Sequence, residues 1–159
     1  MARVIGRSAY NTIESIEITL ETKIGEVTVE RVGIEQIVKW MHDKAITGSE
    51  YLSQVEVRPE EHDVSRALYR LTLVFGPPQL EGNFEEWSFE LILRYKGHVF
   101  YVCDDVGRSL QIRHWVPYYR LRSGDYSKQP PRQIIEEFEK IIEDITHNPV
   151  EAFEYQEKF

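Results

Sequence analysis

The sequence is poor in the residues that usually announce a chemistry. It has one cysteine, Cys103, so no disulfide can close within the chain and no thiolate zinc cluster can assemble from it. Cys103 follows an apolar stretch and reads as a small buried hydrophobe, since the acidic residues after it work against a reactive thiolate. No apolar run approaches the ~20 residues that a membrane-spanning helix needs, and the opening MARVIGRSAYNTIESIE has no apolar stretch of secretory length. A soluble, cytoplasmic protein is therefore the expectation. The glycines are scattered and spell neither GxGxxG nor GxxxxGK[ST], and no GxSxG elbow occurs, which argues against the common nucleotide-driven and serine-hydrolase chemistries. His42, His98, His114 and His147 are not spaced as ligand pairs, so no resident metal or cofactor is assigned. Cysteine and methionine are scarce beside abundant Glu, Ile, Val, Tyr and Arg, a bias compatible with a heat-adapted source.

What is present is a globular composition. With 159 residues, 42% hydrophobic and 29% charged, the chain is the size of one domain spanning residues 1–159, large enough to bury a core without staples. Its formal charge of −8 opposes nonspecific wrapping of nucleic acid, which needs a dense basic field.

Alternation of apolar and polar residues predicts strands at Ile16 to Glu21 and Val27 to Glu30, joined in a hairpin. Apolar residues at Ile34, Ile37, Val38 and Met41 recur at three and four and predict a helix, with Trp40 off the stripe. Tyr51 to Arg58 and Ala67 to Phe75 read as strands. Trp87 to Tyr95 carries the strongest alternation in the chain. It is followed by strands at His98 to Cys103 and Ser109 to Trp115, with turns at Lys96-Gly97 and at Asp104-Asp105-Val106-Gly107, which together make an antiparallel meander. A long helix starts at Pro131 and carries Ile134, Ile135, Phe138, Ile141, Ile142 and Ile145 on one stripe. The tail holds Val150, Phe153, Tyr155 and Phe159, apolar enough to pack on the body or on a partner. No βαβ unit repeats. The expected class is α+β, a mainly antiparallel sheet of about six to seven strands with two helices packed on one face.

One span departs from the acidic background. Between Arg108 and Lys128 five Lys or Arg stand against one acid, a local charge of +4, interleaved with Trp115, Tyr118, Tyr119 and Tyr126. Arginine presents a planar fork that suits phosphate or carboxylate, and aromatic rings stack on bases. Arg113, Trp115, Tyr118, Tyr119, Arg120 and Arg122 are thus the candidate ligand-binding residues. The competing explanation is that these arginines pair with neighbouring acids while the rings fill the core.

Two further readings stay open. Asp104, Asp105 and His114, with Glu90 as a third acid, are the raw material of a nuclease or phosphodiesterase that uses magnesium or manganese, although Asp104-Asp105 also spells an ordinary turn. The last helix and tail carry Glu136, Glu137, Glu139, Glu143, Asp144, Glu151, Glu154 and Glu157, a carboxylate row that could imitate a phosphate backbone and occupy a basic protein. The reading preferred from the residues is a small binding protein without enzymatic activity. It contacts nucleic acid or an acidic protein surface, involves no membrane, and leaves a homodimer open through its apolar tail.

Overall fold

The computed structural model describes residues 2–7, 13–43, 48–61, 63–79, 89–105, 109–116 and 129–150. Its elements are β1 (Arg3–Arg7), β2 (Ile16–Thr22), β3 (Gly25–Arg31), α1 (Ile34–His42), β4 (Gly48–Glu56), α2 (Ser65–Phe75), β5 (Glu90–Tyr95), β6 (His98–Asp105), β7 (Ser109–Val116) and α3 (Arg132–His147). The strands form one antiparallel sheet of seven in the order β1-β2-β3-β5-β6-β7-β4. The class is α+β, as expected. Of the described residues, no helix is long and apolar enough to cross a membrane.

Period-two patterning sorts the sheet into two faces. Ile18, Leu20, Val29, Leu91, Leu93, Phe100, Val102, Leu110 and Ile112 point to an inner face, where they meet Ala67, Leu71, Val74 and Phe75 of α2 and Ile135, Phe138, Ile141, Ile142 and Ile145 of α3. Phe138 lies flat on Phe100, with ring centroids 4.1 Å apart. Each such fully buried side chain contributes about 1.5–3 kcal/mol. On the outer face, Ile92, Val99, Tyr101, Cys103 and Trp115 make a smaller cluster beneath Ile34, Ile37 and Trp40 of α1. The β5–β6 turn uses Lys96 and Gly97, both at positive φ (48° and 81°), the pairing that a two-residue hairpin requires.

Several elements differ from the sequence expectation. Ala67 to Phe75 is helical, because Ala67, Arg70, Leu71, Val74 and Phe75 recur at three and four and all turn inward, a period that overrides their β-rich composition. The described residues therefore contain three helices, and the pair sharing a face is α2 and α3, with α1 opposite. On α1 the buried side is Ile34, Ile37 and Trp40, while Val38 and Met41 are 57% and 51% exposed. Asp104 and Asp105 end β6 rather than forming a turn, and the short β1 was not anticipated. Val150 is buried, while the other tail aromatics lie outside the described residues.

The sheet has a narrow waist. Between β3 and β5 only Glu30↔Arg94 and Arg31↔Leu93 are paired. The side-chain amide of Gln79 extends the junction by acting as a peptide surrogate. Its Nε2 donates to the carbonyls of Val32 and Ile92, and its Oε1 accepts from the Ile92 N–H at 2.6 Å. Gln79 arrives there because Arg31, 1% exposed, donates to the carbonyls of Phe75 (2.6 Å) and Pro77 (2.7 Å), where the chain leaves α2. Arg7 adds bonds to the carbonyls of Leu73 and Val74, so two guanidinium groups satisfy the acceptors at the negative end of α2. Arg70 and Arg58 do the same for α3 at Thr146 and His147.

Replacement of Arg31 by Leu leaves buried carbonyls without donors and is expected to cost about 2–4 kcal/mol in urea unfolding. Arg3→Leu removes only an exposed pair with Glu21 and should cost less than about 1 kcal/mol.

Candidate functional site

At the β7–β4 end the outer face is open and polar. The register places Tyr51 directly across from Arg113, and Gln54 across from Gln111. Tyr51 is 51% exposed, and Gln54 is exposed beside it. Arg113 is half-buried and held in place: its Nε donates to Ser49 Oγ at 2.8 Å, one terminal nitrogen to Gln111 Oε1 at 2.8 Å and the other to the Ser49 carbonyl at 3.3 Å. A guanidinium oriented by a serine and a glutamine loses little rotamer freedom when it meets an anion.

Trp115 occupies a different position. It is 8% exposed and packs against Trp40 (6.2 Å, edge-on) and Tyr101 (6.5 Å), so in this arrangement its ring serves the outer cluster that seats α1. Tyr118, Tyr119, Arg120 and Arg122 lie outside the described residues. The aromatic that stands exposed next to Arg113 is Tyr51. Sequence reading missed it because only the β4–β7 register joins the two positions, which are far apart in the chain.

The acids flagged for metal chemistry are divided by the pleat. Glu90 takes the outer face and Asp104 the inner one, where its Oδ1 accepts from the Phe89 N–H at 2.8 Å. His114 is also on the inner face but sits across from Glu50 and Phe100, whereas Asp104 sits across from Leu110, four residues away along β7. His114 has the His98 ring 6.3 Å away, and Glu50 accepts from Gln129 at 2.9 Å. Among the described residues, no group of three His, Cys, Asp or Glu is placed to hold a metal ion.

Glu90 is the most unusual of these acids. It is 1% exposed on the outer face, opposite Cys103 and diagonal to Tyr101, whose hydroxyl donates to its Oε1. Its Oε2 has no hydrogen-bond partner among the described residues. Burial pushes the Glu90 carboxyl above the usual range, and the nearby Asp104 charge adds to that, while the Tyr101 hydrogen bond works in the other direction. Burial and then Glu90 itself push the Tyr101 phenol upward.

The acids of α3 are individually engaged. Glu137 accepts from the Tyr95 hydroxyl and from Lys96 Nζ, Glu143 from Lys23 Nζ, Glu139 from Ser53 Oγ and Glu136 from Arg132. Asp144 is buried and accepts from the Lys23 N–H and from Asn148. Glu137, Glu139, Glu143 and Asp144 tie α3 to the sheet and its turns, while the Glu136 pair with Arg132 stays within the helix. Comparison with protein-family models, with curated proteins and with solved structures yields no match to this chain.

Glu90→Gln retains an acceptor for Tyr101 and removes a buried carboxyl. Because the folded-state value is raised, the folded form binds a proton more tightly than the unfolded chain. The stability it supports is full below the unfolded glutamate range and is lost as pH rises through the raised folded value. Thermal melts across pH should show Glu90→Gln gaining on the parent chain from mildly acidic to neutral pH and the two converging in acid.

Proposed function

We propose that this chain is an intracellular binding protein that recognises an anionic partner, either nucleic acid or the acidic surface of a protein, through the β7–β4 end of its outer face and the adjoining basic span. The observation that carries this reading is the Arg113 guanidinium, oriented on an open face beside exposed Tyr51. Arg113 supplies a fixed fork for phosphate or carboxylate, and Tyr51 supplies a ring for stacking. Arg108 precedes β7, and Arg120 and Arg122 follow it in the chain, so the basic span brackets the strand that bears Arg113. The opposite end of the same face carries the reverse sign. Glu17, Glu21, Glu26 and Glu30 share the outer side of β2 and β3; Arg3 pairs with Glu21 and Arg94 with Glu30, and Glu17 and Glu26 leave an acidic excess that disfavours an anion there. Binding on this reading uses no cofactor.

A metal-dependent nuclease is the second reading. It is favoured by the electrostatic coupling of Glu90 with Asp104 and opposed by the separation of His114 from both. Magnesium or manganese enters only there. The acidic-mimic reading is weakened by the engagement of the α3 carboxylates with the sheet.

Titration of a labelled oligonucleotide over a salt series tests the binding reading. Arg113→Ala, Arg120→Ala and Arg122→Ala should each weaken binding and lower the slope of log affinity against log salt by ~1. Tyr51→Ala should weaken binding without changing that slope. Loss of affinity on Asp104→Asn with Arg113→Ala silent would overturn it.

A further inference from the structure

α1 buries only one side. Of the five large hydrophobic side chains exposed among the described residues, two adjoin on this single nine-residue helix, Val38 and Met41. They stand three residues apart and form an exposed seam, with the partly buried Ile34 at its margin, at a spacing by which one helix packs along another. The seam is flanked asymmetrically. Glu35 lies in the first turn, and Lys39 and His42 lie in the last. Glu35 and Lys39 are four residues apart and exposed, yet they form no ion pair with each other or with any described residue.

From this arrangement we infer that the outer surface of α1 is a dimer interface, with a second copy of the same chain as its occupant. Two α1 helices packed antiparallel about a two-fold axis near Val38 bury Val38 and Met41 of both copies. The same operation lays Glu35 of each copy beside Lys39 and His42 of the other. An isologous contact needs a surface complementary to itself, and acid at one end with base at the other meets that need when the helices run in opposite directions. Two short helices make a small interface, so the dimer is weak and forms with rising concentration. The inference is independent of the anionic-partner reading, which uses Arg113 and Tyr51 on β7 and β4.

Sedimentation velocity over a concentration series tests it. The parent chain should pass from monomer to dimer. Val38→Glu and Met41→Glu should each hold it monomeric at every concentration while the far-ultraviolet dichroism stays unchanged. Glu35→Lys alone and Lys39→Glu alone should each weaken association at least tenfold, and the double variant Glu35→Lys/Lys39→Glu should restore it. Tyr69→Glu, an equally exposed position on α2, should leave association intact. A parent chain that remains monomeric throughout, or a dimer indifferent to the charge exchange, overturns the inference. Retention of oligonucleotide binding by Val38→Glu separates this surface from the anionic site.

Discussion

The buried guanidinium of Arg31 is the constraint on which the rest of the structure depends. It sits where β3 ends, and its hydrogen bonds reach the two carbonyls at which the chain departs from α2. A charge taken this far from water is tolerated only where it meets acceptors that themselves need a donor, and the end of a helix provides them. The clamp sets the position of Gln79, whose amide completes the narrow join between the β1-β2-β3 hairpin layer and the β5-β6-β7-β4 meander. Without it the two parts of the sheet meet through two residue pairs and the Val32 N–H to Ile92 carbonyl bond. Four arginines serve helix C-termini in this way, so part of the positive charge in an acidic chain is spent on holding α2 and α3 against the inner face.

Arg113 differs in what holds it. Ser49 and Gln111 orient its guanidinium on a face that α1 leaves open at the sheet edge. The acidic β2–β3 surface at the other end gives the outer face a polarity, with α1 between the two regions.

Much of the fold was legible in the sequence where one face of an element is wet. The β2–β3 hairpin, the β5-β6-β7 meander and α3 each alternate cleanly because water reads one side and the core the other. The reading failed at α2, where β-favouring letters such as Val74 and Phe75 masked a helical period. It also failed on α1, where apolar letters do not say which apolar side is buried: Trp40, set aside as off the stripe, is the contact to Trp115, and Val38 and Met41 face out. The site was less legible still. Arg113 and Glu90 were singled out from local pattern, but Tyr51 beside Arg113 and Tyr101 beside Glu90 depend on strand register, which joins residues far apart in the chain. Glu90 and Asp104 look like two ligands of one site in the sequence and lie on opposite faces of the sheet.

The central claim is that the chain binds an anion and does not cut it. Incubation with labelled single- and double-stranded DNA and RNA, across a salt series with and without magnesium or manganese, reads both outcomes on one gel. The account predicts a salt-sensitive shift with the strand left intact and no effect of chelator. Cleavage that requires metal, or the absence of any shift at low salt with both nucleic acids and acidic protein surfaces, would contradict it.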